Sequence, residues 1–222
     1  MKGAGFSLKA LILFFLVLLS LQPVMAKSKY FLEPYIGYEA ISWSSELKET
    51  QSDRYVTLEA SGSMMGPKAG LKILRFLGKR FKIGIDLNYS MLKSEYIEST
   101  ESSYDDSFEK ENDLSKSAGN FFFGYQGKKL GLSLSVSPIT YLNFKEGFLN
   151  YTGELDFEGA SIGAHLNYLI GKRLNLNIDT SFSTFSKLTI SEEEYELPSE
   201  IGNNTQSEIT TQEVSISLSY IF

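Results

Sequence analysis

The last nine residues, Val214-Ser215-Ile216-Ser217-Leu218-Ser219-Tyr220-Ile221-Phe222, alternate between apolar and small polar side chains over most of their length and end on an aromatic. Successive side chains of a strand point to opposite faces. Val214, Ile216, Leu218, Tyr220 and Phe222 therefore make one apolar face, and Ser215, Ser217 and Ser219 a narrow polar one. Such a strand fits a wall with lipid on one side and a cramped, hydrated interior on the other.

The same alternation recurs through the chain. Three short repeats, Leu77-Gly78-Lys79-Arg80-Phe81, Gln126-Gly127-Lys128-Lys129-Leu130 and Ile170-Gly171-Lys172-Arg173-Leu174, each sit between two alternating runs. A Gly followed by a polar residue is the pattern of a two-residue type II′ hairpin, because Gly tolerates positive φ at the first central position. Between these repeats lie longer polar segments, roughly residues 44–57, 93–114, 145–154 and 191–208. Four long loops alternating with three tight turns require eight strands, with both chain ends on the tight-turn side. The fold class expected is an all-β, eight-stranded antiparallel transmembrane β-barrel with short periplasmic turns and long extracellular loops.

The individual strands follow from their period. Phe81, Ile83, Ile85, Leu87, Tyr89 and Met91 alternate with Lys82, Gly84, Asp86, Asn88 and Ser90; Leu130, Leu132, Leu134 and Val136 alternate with Gly131, Ser133, Ser135 and Ser137. Leu174, Leu176, Ile178, Thr180 and Phe182 alternate with Asn175, Asn177, Asp179, Ser181 and Ser183. The first two strands, near Tyr30 to Trp43 and Met64 to Leu74, are the least regular. A soluble lipocalin-like barrel is the rival architecture, but its polar face would turn to water and carry Lys and Glu. Here the polar faces of the fifth and eighth strands are nearly all Ser and Gly, which suits the filled interior of a narrow barrel. Tyr38, Trp43, Tyr89, Tyr125, Tyr168 and Tyr220 are expected at the membrane interfaces.

Lys2 and Lys9, an apolar run from Ala10 to Leu21, and Val24-Met25-Ala26 make residues 1–26 a cleavable signal peptide, with the barrel domain over 27–222. The apolar core falls short of the roughly 20 residues a membrane helix needs. The chain carries a formal charge of −6, which becomes −8 when the two leader lysines are removed. That balance argues against nucleic acid as a partner, since phosphate backbones select basic surfaces. With no cysteine there is no disulfide framework and no thiolate metal site.

An aromatic-ended terminal strand resembles the assembly signal of bacterial outer-membrane proteins, carried here by Leu218, Tyr220 and Phe222. With the leader and the strand pattern, the chain resembles the small outer-membrane β-barrel proteins of Gram-negative bacteria, the class of the OmpA-barrel, OmpX and OmpW types. The resemblance implies an integral protein of the outer membrane inserted by the barrel-assembly machinery. Its other expected partners are outer-membrane lipids and lipopolysaccharide, and the chain is expected to be a monomer.

Few residues offer chemistry. His165 is the sole histidine, and where some outer-membrane lipid-modifying enzymes carry a Ser two residues from the His, this chain has Asn167. No catalytic, cofactor-binding or metal-binding set is expected. By parity Glu33, Asp86, Asp179, Lys68, Lys72, Lys82 and His165 face the lumen. These charges should pair with one another or bind water, because isolated charges in a narrow barrel are costly. The acids Glu95, Glu98, Glu101, Asp105, Asp106, Glu109, Glu111 and Asp113, and then Glu192, Glu193, Glu194, Glu196, Glu200, Glu208 and Glu213, are read as loop surface. The leading expectation is a non-enzymatic envelope protein acting through its loops. A passive channel for small or apolar solutes is the alternative, and a lipid hydrolase or acyltransferase the third reading.

Overall fold

The computed structural model describes residues 30–51, 54–99, 113–144, 154–190, 193–201 and 204–222, with backbone alone for 46–51, 54–60, 94–99, 113, 199–201 and 204–206. The expected leader, residues 1–26, lies outside the described residues. Among the described residues eleven strands form one sheet: β1 (Tyr30–Gln51), β2 (Arg54–Leu77), β3 (Phe81–Ser99), β4 (Asp113–Gln126), β5 (Leu130–Phe144), β6 (Leu155–Ile170), β7 (Leu174–Ile190), β8 (Glu193–Glu196), β9 (Ser199–Ile201), β10 (Asn204–Gln206) and β11 (Ile209–Tyr220). β1 to β7 each pair antiparallel with the next, and β11 pairs with both β7 and β1, from Tyr35↔Ser219 to Ser44↔Thr210 on the latter side. Eight long strands thus close a barrel. Its backbone groups are satisfied without an edge, as a bilayer demands. The Phe222 N–H donates to the Leu32 carbonyl at 2.9 Å and ties the tail to β1.

The three turns differ in length from the expectation. Leu77 pairs with Phe81 and Ile170 with Leu174, so each connection holds three residues rather than two. Gly78 and Gly171 take positive φ (72° and 75°), where a side chain would be strained. Gly127 does not. The polar segments also fold more than expected. Pairing of β1 with β2 runs on from Leu47↔Leu58 to Gln51↔Arg54 through the segment read as the first loop. The segment 191–208 supplies β8, which folds back to pair antiparallel with the end of β7, and β10, which pairs antiparallel with the end of β1. Polarity alone does not separate a loop from a strand that has left the bilayer.

Outward-facing residues near the turns are apolar and exposed: Ile83, Ile85 and Leu87 on β3, Leu132, Leu134 and Val136 on β5, Ile162 and Leu166 on β6, and Val214, Ile216 and Leu218 on β11. Leu134 is 66% exposed, and a soluble protein does not leave so large a continuous apolar band in water. From Phe81 to Met91 the band on β3 is 11 residues long, matching the 9–11 residues by which a tilted strand crosses a membrane. Among the described residues no helix is long and apolar enough to cross one. Leu134→Arg, near the middle of this belt, is expected to cost about 2–4 kcal/mol of unfolding free energy, and Leu130→Arg at its rim about 0–1. Urea titrations in lipid vesicles measure both, and equal small losses would show that the belt faces water.

Beyond the belt the sidedness of every barrel strand inverts. At the end opposite the turns the inward side chains are Ile41, Trp43, Met64, Leu92, Leu114, Leu142, Phe144, Leu155, Phe157, Phe185, Leu188 and Ile209, joined by Leu197 from the β8–β9 turn. Outward positions there include Ser42, Ser44, Lys93, Asp156 and Gln212. The barrel therefore has two tiers, one apolar outside and polar inside, the other built like a soluble barrel. Trp43 belongs to the second. It is 4% exposed within this core, not at an interfacial girdle, whereas Tyr38, Tyr89, Tyr125 and Tyr168 are exposed outward as expected.

Candidate functional site

Buried ionisable groups converge in the polar interior. The seven lumen residues read from parity all point inward, and all but the half-buried His165 are buried. Hydrogen bonds and ion pairs hold them in place. Nearest the turns, Glu33 accepts from Asn175 Nδ2 (3.0 Å) and Ser219 Oγ, and Lys82 donates to Asn167 Oδ1 (2.8 Å) and Gln126 Oε1 (3.4 Å). One level up, Tyr35 donates its hydroxyl to Asp86 Oδ1 at 2.9 Å, and the Lys72 ammonium lies 5.1 Å from the centre of the Tyr35 ring. Gly70 makes this possible, since a Cβ there would sit 2.4 Å from the Tyr35 ring. His165 Nδ1 and Asp179 Oδ1 pair at 2.7 Å, and Ser215 donates to Asp179 Oδ2 at 3.3 Å. Hydroxyl, amide, phenol and imidazole donors thus share in compensating these charges.

The densest ion pairing lies higher and joins Lys68 to three residues that parity did not bring forward, Glu39, Lys116 and Glu213. Lys68 donates to Glu39 Oε1 at 2.7 Å. Lys116 bonds Glu213 and lies 3.7 Å from Glu39. Ser183 Oγ (2.8 Å), Thr211 Oγ1 (3.0 Å) and Ser181 Oγ also donate to Glu213, and Ser90 donates to Glu39. Glu213, read above as a loop acid, is 2% exposed inside β11. Its parity with Ser215, Ser217 and Ser219 is the signal that places it in the lumen. Lys116 lies two residues past the second polar segment on the inward face of β4, and Glu39 lies inward on the irregular first strand.

Two cavities among the described lumen residues measure about 10 and 20 Å³, lined respectively by Lys72, Lys82 and His165, and by Lys68, Lys116 and Asp179. Each is about the size of one water. The His165–Asp179 pair has the form of a base held by a carboxylate, but Nε2 of His165 is buried with no hydroxyl bonded to it. Among the described residues no group of three or more His, Asp or Glu is placed to hold a metal ion.

No protein-family model and no curated protein matches the chain. Solved structures do. The chain is similar to the solid-state NMR structure of the outer membrane protein AlkL in lipid bilayers, at 13% identity over 86% of this chain and 90% of that one, with a TM-score of 0.54. Other similar structures are Neisserial surface protein A (9% identity, 88% and 98% covered, TM-score 0.47) and the outer membrane protein OprG from Pseudomonas aeruginosa (10%, 86% and 95%, 0.47). At these identities the likeness concerns the fold. The fold is that of a closed, eight-stranded outer-membrane β-barrel.

Proposed function

We propose that this protein is a non-enzymatic, non-conducting barrel of the bacterial outer membrane that acts through its surfaces rather than through its lumen. The observation that carries this reading is the double seal: a hydrogen-bonded ionic layer within the membrane tier, and above it an apolar layer to which all eight barrel strands contribute. An ion crossing the first layer would have to displace paired charges, and crossing the second would strip it of water. In this reading the turns face the periplasm and the water-facing tier rises outside the cell. There it offers the exposed carboxylates Glu154, Asp156, Glu193, Glu194, Glu196 and Glu208. Lipopolysaccharide would surround that tier, and the monomeric chain would be inserted by the barrel-assembly machinery through the strand ending in Leu218, Tyr220 and Phe222.

Planar-bilayer recording tests the central point. Purified protein is expected to give no steady single-channel current. Reproducible currents whose ion selectivity changes in Lys68→Gln or Glu39→Gln would replace this reading with that of a channel.

A further inference from the structure

We infer that the turn end of the barrel is a binding surface for anionic phospholipid headgroups of the leaflet it faces. The surface is built from a charge separation along the barrel axis. Lys79, Arg80, Lys128, Lys129, Lys172 and Arg173 are all exposed, two in each turn, and half-buried Arg75 lies beside them. Among the described residues every exposed or half-buried Asp and Glu, from Glu154 and Asp156 to Glu193, Glu194, Glu196 and Glu208, lies at the opposite end. The carboxylates nearer the turns, Glu33, Asp86 and Asp179, are buried in the lumen and satisfied there. Among the described residues the six turn cations therefore have no carboxylate side chain beside them to neutralise them.

Three of the guanidiniums are positioned. Arg80 Nη1 donates to the Tyr125 hydroxyl at 3.0 Å with its guanidinium 6.0 Å from that ring, Arg173 Nη1 donates to the Tyr220 hydroxyl at 3.4 Å, and Arg75 lies 5.7 Å from the Tyr30 ring. Tyrosines at the edge of an apolar belt sit at headgroup level. The bonds thus hold the arginines at the depth of lipid phosphates. A guanidinium has five donors in a fork that matches phosphate, and one bond to a phenol leaves the others available in that direction. The lysines add point charges around the same ring, and a basic rim of this kind attracts lipids of net negative charge over zwitterionic ones. This inference rests on the membrane placement proposed above but not on the closed lumen.

The test uses the full chain without its leader, refolded into phosphatidylcholine bilayers containing spin-labelled phosphatidylglycerol or spin-labelled phosphatidylcholine. Electron paramagnetic resonance reads the fraction of each label held at the protein surface, and gel mobility before and after heating reads folding. The expected result is a preference for phosphatidylglycerol of about fivefold, the equivalent of one cation attracted to the surface. It should fall away near 1 M salt, where screening acts within about 3 Å. The combined variant Lys79→Gln, Arg80→Gln, Lys128→Gln, Lys129→Gln, Lys172→Gln and Arg173→Gln should lose it; if that variant fails to fold, Arg80→Gln with Tyr125→Phe should halve it. Neutralising Lys93 and Lys187 at the opposite end should leave it intact. Equal association of the two labels with folded protein overturns the inference and leaves the membrane reading standing. Competition by inorganic phosphate beyond that of chloride at equal ionic strength overturns it in favour of a free-anion site. A chain that folds into neither bilayer overturns both readings.

Discussion

Lys116→Met is expected to lower the unfolding free energy by about 3–5 kcal/mol, the usual cost of removing one member of a buried ion pair. Lys116 is 4% exposed, bonds Glu213 and lies 3.7 Å from Glu39, so it neutralises the point where two buried carboxylates approach. Without it Glu39 keeps Lys68, but Glu213 keeps only the hydroxyls of Ser181, Ser183 and Thr211, which solvate a charge without cancelling it. Lys116→Met combined with Glu213→Leu should recover most of the loss, because no unpaired charge then remains. Urea unfolding of both variants in lipid vesicles measures the coupling. Losses that simply add would show that the pair contributes nothing as a pair and that the ionic layer is not what holds this level of the barrel.

The coarse architecture was legible because a membrane barrel repeats one simple rule, and the strands that obey it longest, β3, β5, β7 and β11, are the ones their alternation identifies at once. The failures come from places where the rule changes. On β1 the inward residues pass from Glu33 and Glu39 to Ile41 and Trp43 with no change of parity, because the strand leaves lipid and the better solvent for apolar side chains moves from outside to inside. That inversion makes the first strand look irregular and makes Trp43 look like an interfacial residue. On β5 the register shifts between Ser137 and Thr140, so inward parity passes from Ser133 and Ser137 to Thr140, Leu142 and Phe144. A bulge is a backbone event that the order of side chains does not announce. β7 shifts likewise opposite Glu158 and Gly159, turning Leu188 inward after Phe185.

The lumen shows a different limit. Parity says which residues enter a barrel, but the partner of each depends on stagger around the wall. Lys68 and Glu39 lie on neighbouring strands, whereas Lys116 on β4 reaches Glu213 on β11 across the interior. Glu33, Asp86 and Asp179 are expected to pair with the lumen lysines or to bind water, and amide, phenol, imidazole and hydroxyl donors hydrogen-bond them. In a narrow barrel a short neutral donor on an adjacent strand is often better placed than a long cation whose head must reach a carboxylate at a different height.

Phe157→Ala should cost about 3–5 kcal/mol, by loss of the buried ring and by the cavity it leaves. Phe157 is 1% exposed in the apolar tier and meets Phe144 edge to face, with ring centres 5.6 Å apart. Its neighbours on eight hydrogen-bonded strands cannot collapse into the gap without breaking the sheet, so little of the cavity should close. Phe123→Ala on the lipid face, where the ring is 54% exposed, removes the same atoms from a fluid that flows into the space. It should lose the transfer contribution alone and cost measurably less. Comparison of the two in one lipid, by denaturant unfolding, isolates the cavity contribution, and protease cutting of the far-end segments should rise for Phe157→Ala only. Equal losses and equal cutting would mean that the upper tier is not a packed core. The second seal would then be absent, leaving the ionic layer as the sole barrier in the lumen.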